Sequence, residues 1–231
     1  MTRFYVLLLL GCAGFLLAPL GASAAPITVP TGLNPGDQYR LVFVTGSVRD
    51  AMSTNIADYN NFVTTAANSE PALAALSTTW NAIASTNSIN ARDNTTTNPF
   101  VSAGVPVFRL DGNLVAASNA DLWDGAVSVP ISTLASGFIP TAASLKVWTG
   151  TNVSGDLTSK PLGTGSVSFG DATASTSSWV DNGFTTPSHE YSLYAMSGVL
   201  TVPSVPEPSS LVLAGTGLGG AILVWRRRKT R

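Results

Sequence analysis

The stretch YRLVFVT, from Tyr39 to Thr45, is the clearest structural signal in this chain of 231 residues. β-Branched and aromatic side chains fill it, and Gly36-Asp37 and Gly46 bound it on either side. This composition between turn residues predicts a buried strand. The other elements of the body are predicted on its C-terminal side.

Apolar residues recur at helical spacing shortly after this strand and predict a helix. They are Ile56, Tyr59, Phe62, Val63 and Ala66. Residues 53–55 (Ser-Thr-Asn) can cap its start, and Pro71 opens a second short helix that runs to Leu76. The segment TTWNAIAS (78–85) suits a helix by the spacing of Trp and Ile, and a strand by its Thr and Ile content.

After Ala91 the pattern becomes that of β-structure. VPVFRL (105–110) and NLVA (113–116) flank Asp111-Gly112, which is a strong hairpin signal. Gly, Ser, Thr and Asp dominate residues 149–178, so one long loop is predicted there. Three more short strands are predicted, at 145–148, 190–196 and 199–202. The sequence therefore predicts a single α+β domain over residues 25–202.

This order of elements resembles the C-type-lectin-like fold, in particular its endostatin-type branch. The resemblance is carried by IADYNNFVTTAAN (56–68), TTWNAIAS, VPVFRLDGNLVA (105–116), ADLWDG (120–125) and VWTGTNVSG (147–155). It implies two helices packed on antiparallel strands with a long loop, and it assigns TTWNAIAS to a strand. That family usually carries two disulfides, whereas residues 25–202 contain no cysteine.

Charge is sparse in the body of the chain. Residues 25–206 contain six Lys and Arg against twelve Asp and Glu, a net charge near −6 that the basic C-terminus offsets. Phosphate binding requires clustered Lys and Arg, so this balance argues against a nucleic-acid partner. An anionic polysaccharide would have to bind through hydrogen bonds or bridging cations.

Residues 203–231 consist of three ordered parts. Val205-Pro206-Glu207-Pro208 comes first, and an apolar run follows from Ser209 to Trp225. As a transmembrane helix this run would span about 25 Å, most of a hydrocarbon core of about 30 Å. The chain then becomes basic, with Arg226, Arg227, Arg228 and Lys229. These residues favour the cytoplasmic side of a membrane.

The three parts together resemble the PEP-CTERM sorting signal of Gram-negative bacteria. In that family an exosortase recognises the Pro-Glu-Pro element, removes the helix and sends the protein to the cell surface or the extracellular polysaccharide. The resemblance implies exosortase as a processing partner and an inner-membrane intermediate held by the helix at about 209–225. An ordinary C-terminal membrane anchor is the alternative.

The N-terminus predicts export as well. Arg3 precedes an almost wholly apolar run, and Ala22-Ser23-Ala24 fits an A-x-A cleavage site. Residues 1–24 are therefore predicted to be a signal peptide that signal peptidase removes. Cys12, the one cysteine, lies in a loose lipoprotein-box match, but the apolar run continues beyond it and argues against lipidation.

No catalytic signature stands out in the sequence. The single histidine, His189, is predicted to be an exposed loop residue, and no G-x-S-x-G elbow is present. One histidine without a cysteine in residues 25–202 is too few ligands for zinc chemistry. Twelve acidic residues offer many carboxylate pairs for a glycosidase, and nothing in the sequence selects one. We expect no enzyme activity and no cofactor.

Ligand contacts are equally sparse. The Glu-Pro-Asn, Gln-Pro-Asp and Trp-Asn-Asp motifs through which C-type lectins bind Ca²⁺ and sugar are absent from the body. Asp111, Asp121 and Asp124 are the remaining candidates for a cation site, although a turn and a helix cap account for them equally well. Three of the body tryptophans lie in apolar segments and are predicted to be core. Trp179 follows a polar run and is the candidate for an exposed ligand contact.

These observations predict an exported, exosortase-sorted surface or extracellular-matrix protein. Its domain is expected to be a non-enzymatic binding module, with exopolysaccharide as the candidate ligand. A purely structural or protein-binding matrix component and, less favoured, a glycan hydrolase stay open as alternatives.

Overall fold

A computed structural model describes residues 25–204 of the chain. Nine strands lie in this range: β1 Gln38–Val44, β2 Trp80–Ala82, β3 Val107–Arg109, β4 Leu114–Ala116, β5 Lys146–Trp148, β6 Val167–Asp171, β7 Gly183–Thr185, β8 Ser192–Ser197 and β9 Leu200–Thr201. The helices are α1 Ile56–Asn68, α2 Pro71–Ala74, α3 Ala91–Asn94, α4 Asn119–Leu122 and a 3-10 helix, Ser177–Trp179. Over these residues, none of the helices is long and apolar enough to cross a bilayer.

The predicted strand β1 lies at the centre of a mixed sheet with the order β4-β3-β1-β8-β5-β6-β7. β9 also pairs with β1, and β2 pairs with β8. The α+β prediction is confirmed. The expectation of antiparallel strands is wrong at two places, because β1 pairs with β3 and β5 pairs with β8 in parallel. In both cases the chain crosses over through a long segment before it returns to the sheet, and such crossovers permit parallel pairing.

Each face of the sheet covers its own hydrophobic core, which explains why β1 is almost continuously apolar. Tyr39, Leu41 and Phe43 point to the core under α1. Val42 and Val44 point to the opposite face, where irregular segments supply most of the cover. The tryptophans predicted to be core, Trp80, Trp123 and Trp148, are all buried.

Helix α1 follows the predicted periodicity closely. Its buried residues are Ile56, Tyr59, Val63 and Ala67, one stripe at intervals of three and four residues. The Asn55 side chain accepts a hydrogen bond from the Ala57 amide at 3.1 Å and caps the first turn. The predicted cap and the predicted packing face are both confirmed.

The hairpin and the strand in TTWNAIAS are also confirmed, as β3–β4 and β2. The single long loop predicted for residues 149–178 is wrong. Strand β6 lies within it, the 3-10 helix begins at its end, and β6 pairs with both β5 and β7. The backbone of the 3-10 helix packs directly on Gly170, so this strand needs small residues there. With small residues such as Ser168 and Gly170, β6 lacks the alternation of apolar and polar side chains that predicts a strand.

Several predictions concern residues outside the described range. They are the signal peptide at 1–24 with its cleavage residues Ala22 and Ala24, and the transmembrane helix at about 209–225. The division of the chain at 25–202 and 203–231 depends on these two segments. These boundaries stay predictions.

Candidate ligand-binding surface

Trp179, the predicted exposed contact, is fully buried, so that prediction is wrong. Its ring lies 5.7 Å from the ring of Trp123 and 5.7 Å from that of Tyr194, measured between centroids. Its carbonyl oxygen accepts a hydrogen bond from the Tyr194 hydroxyl at 2.8 Å. The polar run before Trp179 covers the second core and does not expose the indole.

The three candidate cation ligands serve separate structural roles. Asp111 pairs with Arg109, Asp121 accepts the Ala117 amide at 2.6 Å, and Asp124 accepts the Ala126 amide at 3.1 Å. Over residues 25–204, no three His, Cys, Asp or Glu side chains are grouped as a metal site requires. Asp111, Asp121 and Asp124 therefore do not form a cation site in this structure.

The Asp111 carboxylate illustrates how these groups are held. Partial burial alone would raise its pKa, but hydrogen bonds from Arg109 and Asn113 outweigh burial and hold the pKa below its usual value. The Arg109 Nε donates to Asp111 Oδ1 at 2.9 Å, within the β3–β4 hairpin. The Asp111 carboxylate therefore stabilises the hairpin turn through hydrogen bonds from Arg109 and Asn113.

Three partly or fully exposed rings and one lysine form a group on β5, on β6 and in the segment that leads into β8. We call it the aromatic surface, and it consists of Lys146, Phe169, His189 and Tyr191. The segment before β8 is fixed by paired backbone bonds between Arg49 and Tyr191, at 3.1 and 3.0 Å. The Arg49 carbonyl also accepts the indole N–H of buried Trp148 at 3.0 Å. These three hydrogen bonds fix the backbone of Tyr191 relative to Arg49 and Trp148.

Tyr191 is the centre of this group. Its ring centroid lies 4.5 Å from that of Trp148, and the Phe169 ring meets it edge-on at 5.7 Å. The His189 ring stacks on the Tyr191 ring, with 5.8 Å between centroids and an interplanar angle of 7°. His189 is exposed, as predicted. Tyr191 and Phe169 are partly buried, so part of each ring contacts solvent.

Lys146 adds a positive charge to these rings. Its Nζ lies 4.9 Å from the Phe169 centroid and 5.4 Å from the Tyr191 centroid, within cation–π range. Within the described part of the chain, the ion pairs involve Arg49, Arg92 and Arg109 and neither lysine. The Lys146 ammonium is therefore available to a ligand.

Lys160 provides an internal comparison on the other face of the same sheet. Its Nζ lies 4.0 Å from the centroid of exposed Phe184. Phe184 is the register partner of Ser168, whereas Phe169 is opposite Trp148. Because successive side chains alternate between faces, the two lysine–aromatic pairs lie on opposite faces.

A groove of about 280 Å³ lies at the segment that follows β1, and its lining mixes apolar side chains with a few polar groups. Its apolar lining comes from Ala66, Leu134 and Ala135, and its polar lining from Ser47, Ser69, Glu70 and Ser136. Serine hydroxyls and the Glu70 carboxylate can exchange hydrogen bonds with a polyhydroxylated ligand. Gly46 and Ser47 precede Arg49, whose backbone holds Tyr191.

The residues of the aromatic surface are scattered over three segments, so no sequence pattern predicts it as a unit. HEY (189–191) offered a local signal, since a histidine two residues before a tyrosine can lie on the same side of an extended chain. Lys146 and Phe169 become neighbours only through the pairing of β5 with β6. No local pattern shows that pairing.

Comparison with known protein families identifies the end of the chain. Residues 204–229 match the PEP-CTERM protein-sorting motif, so the chain carries the exosortase sorting signal of that family. The match spans Val205-Pro206-Glu207-Pro208 and the basic residues from Arg226 to Lys229. A search of curated proteins found no match. The motif implies an exported protein with transient membrane anchoring, processing by exosortase, and a surface or extracellular location.

Proposed function

We propose that the domain is a non-enzymatic binding module for exopolysaccharide, carried to the cell surface or matrix by exosortase sorting. The observation that supports this proposal is the aromatic surface, where Tyr191 and Phe169 are partly exposed under the unpaired ammonium of Lys146. Apolar faces of pyranose rings stack on aromatic side chains, and a cation beside them selects acidic sugars.

The charge of the domain restricts where an acidic polymer can bind. The body carries a net charge near −6, so most of its surface repels polyanions. At physiological ionic strength, charges more than about 8 Å apart are largely screened. Nearby charges therefore dominate, and at the aromatic surface these are Lys146 and, opposite it in β6, Asp171. The Asp171 carboxylate already accepts hydrogen bonds from Ser144, Leu145 and Thr173, whereas Lys146 is in no ion pair of the described residues. Ser47, Ser69 and Ser136 in the groove that follows β1 would hydrogen-bond another sugar of the same polymer.

The surroundings of the histidine support a non-catalytic role. A Ser-His-Asp site needs the imidazole hydrogen-bonded to a serine and to a carboxylate. Among the described residues, the His189 imidazole makes neither bond, and its ring stacks on Tyr191. Incubation of the domain with the polymer, followed by reducing-end analysis, tests this part of the proposal. Release of new reducing ends would contradict it.

We also propose that the fold is a divergent C-type-lectin-like domain. The order β1, α1, β2, β3–β4, α4, β5 and β8 follows the order of segments that carry the resemblance. The mixed sheet and the absence of cysteine in residues 25–202 are the departures. An experimental structure superposed on known domains of that family tests this assignment, and a different strand connectivity would reject it.

Processing at the two ends is the third part of the proposal. Signal peptidase cleaves after Ala24, and exosortase removes the basic tail. Intact-mass analysis of the released protein is expected to give a chain that begins at Ala25 and lacks Arg231. Recovery of released protein that still contains Arg231 would contradict exosortase cleavage.

The binding experiment uses residues 25–204 and purified exopolysaccharide of the producing organism, titrated by calorimetry with and without a Ca²⁺ chelator. Lys146→Met is expected to weaken binding about threefold to tenfold, from the loss of one cation contact. Lys160→Met is the matched control and is expected to leave the affinity unchanged. Binding should persist in chelator. Equal losses for both variants, or no binding by the parent domain, would contradict the proposal.

A further inference from the structure

Phe100 and Val101 form an apolar tip on the protein surface. Their side chains are 84% and 82% exposed. The tip is a built turn, because the Val101 amide donates to the Asn98 carbonyl at 3.0 Å and the Phe100 amide donates to Asn98 Oδ1 at 3.0 Å. The Arg92 guanidinium lies over the Phe100 ring, 5.3 Å from its centroid, and packs against it. The turn therefore presents two adjacent apolar side chains, almost fully exposed, at a fixed place on the surface.

The loop that carries this tip is attached to the first half of β1. Arg40 Nη2 donates to Thr96 Oγ1 at 2.7 Å on one side of the loop. The Arg40 amide donates to the Pro106 carbonyl at 2.9 Å on the other side. Both feet of the loop therefore contact Arg40, two residues from the start of the strand.

The chain leaves the domain at the same end of the sheet. Gln38, the first residue of β1, is the register partner of Thr201 in β9. The Val202 amide then donates to the Asp37 carbonyl at 2.9 Å, and the Val202 carbonyl accepts from the Gly36 amide at 3.0 Å. The apolar tip and the exit toward the sorting signal are thus tied to neighbouring residues of one strand.

The connection from this exit to the membrane segment is short. The seven steps from Val202 to Ser209, where the apolar run begins, span at most about 25 Å even when fully extended. A domain of about 180 residues has a radius of gyration of roughly 16 Å and is therefore about 40 Å across. The tether cannot reach around such a body. While the chain is anchored, the exit end of the domain must face the bilayer.

We propose that Phe100 and Val101 contact the lipid surface while the sorting helix is still in the membrane. A phenylalanine and a valine suit the apolar side of the headgroup region, and polar neighbours such as Asn98 suit its hydrated side. This contact orients the anchored domain with its exit end down. The aromatic surface, beside Arg49 beyond the other end of β1, then points away from the bilayer. The inference rests on the sorting motif and does not depend on polysaccharide binding.

The test uses the full chain, expressed in a host without exosortase so that the tail is retained, with Cys12→Ser as background. A polarity-sensitive fluorophore is attached at Val101→Cys and, as control, at Phe184→Cys on edge strand β7. Each protein is reconstituted into phosphatidylethanolamine–phosphatidylglycerol vesicles that contain nitroxide-labelled lipid. We expect several-fold stronger lipid quenching at position 101 than at 184. Adding Phe100→Asp to the Val101→Cys protein should reduce that quenching, while near-ultraviolet circular dichroism checks that the fold is kept.

Two results would overturn the proposal. Equal lipid quenching at positions 101 and 184 would show that the tip does not face the bilayer. Shielding of position 101 only after exosortase is added to the vesicles would show that the tip contacts the enzyme instead of lipid.

Discussion

The substitution Gly170→Ala tests the way in which β6 and the 3-10 helix pack. A Cβ atom added at Gly170 would lie 2.1 Å from the Trp179 carbonyl oxygen and 2.9 Å from the Val180 Cα. These are backbone atoms, so no side-chain rotation relieves the clash. The Trp179 carbonyl also accepts the hydrogen bond of buried Tyr194. Alanine must therefore push the 3-10 helix away from the sheet by about an ångström.

The expected loss of stability follows from three effects. Overpacking of this kind costs about 1–3 kcal/mol. Weakening the Tyr194 hydrogen bond in a buried site adds about 1–2 kcal/mol. Restricting the unfolded chain returns about 0.4–1 kcal/mol. The free energy of unfolding should therefore fall by about 1–5 kcal/mol, which corresponds to a decrease in Tm of roughly 2–20 °C for a domain of this size.

Urea unfolding of residues 25–204, followed by tryptophan fluorescence, measures this change. Gly165→Ala is the matched control, because nothing lies within 4 Å of its added Cβ. The control should change stability by less than about 1 kcal/mol, in the stabilising direction. The packing argument is refuted if Gly170→Ala stays within about 0.5 kcal/mol of the parent, or if the two variants lose equal stability.

Three further predictions concern buried polar groups. Asp111→Asn should lower the unfolding free energy at neutral pH by about 1–2 kcal/mol; because hydrogen bonds from Arg109 and Asn113 lower the Asp111 pKa, this difference should begin to shrink in acid titrations below about pH 3.9 and disappear as the pH falls through the lowered pKa. Trp123→Phe should cost about 1 kcal/mol more than Trp179→Phe in urea unfolding, since the Trp123 indole donates a hydrogen bond to Thr97 and the Trp179 indole has no acceptor among the described residues; the reverse order would contradict this. Burial raises the pKa of Tyr59 to about 12. The contribution of its protonated hydroxyl to the free energy of unfolding is therefore complete below about pH 10 and is lost as the pH rises toward 12. Tyr59→Phe should remove the absorbance change near pH 12 that reports ionisation of this tyrosine.

The elements that sequence predicted well are those with a strong local pattern. Helix α1 has a stripe of buried residues and an asparagine cap, and both signals are local. The Asp111-Gly112 turn fixed the β3–β4 hairpin in the same way, with Gly112 at a φ of 83° that favours glycine. β1 was predictable because both of its faces are buried and almost every residue is apolar.

The features that sequence missed depend on distant contacts. β6 consists largely of small side chains because another backbone packs on it, which removes the alternation that marks a strand. Trp179 follows a Ser- and Thr-rich run, yet its ring is enclosed by Trp123 and Tyr194 from other segments. The aromatic surface is assembled by strand pairing in the same manner. The sequence shows that these lysine and aromatic residues are present, but it does not show that they are neighbours.

Amide chemical-shift mapping of residues 25–204 during titration with the exopolysaccharide tests the binding proposal most directly. We expect saturable shifts concentrated at Lys146, Phe169 and the segment 189–191, with smaller changes at the groove residues Ser47 and Ser69. The amides around Phe184 on the opposite face should stay unchanged. Saturable shifts confined to another surface would contradict the assignment of polysaccharide binding to the aromatic surface. The absence of any shifts at the highest concentration of soluble polymer would contradict it as well.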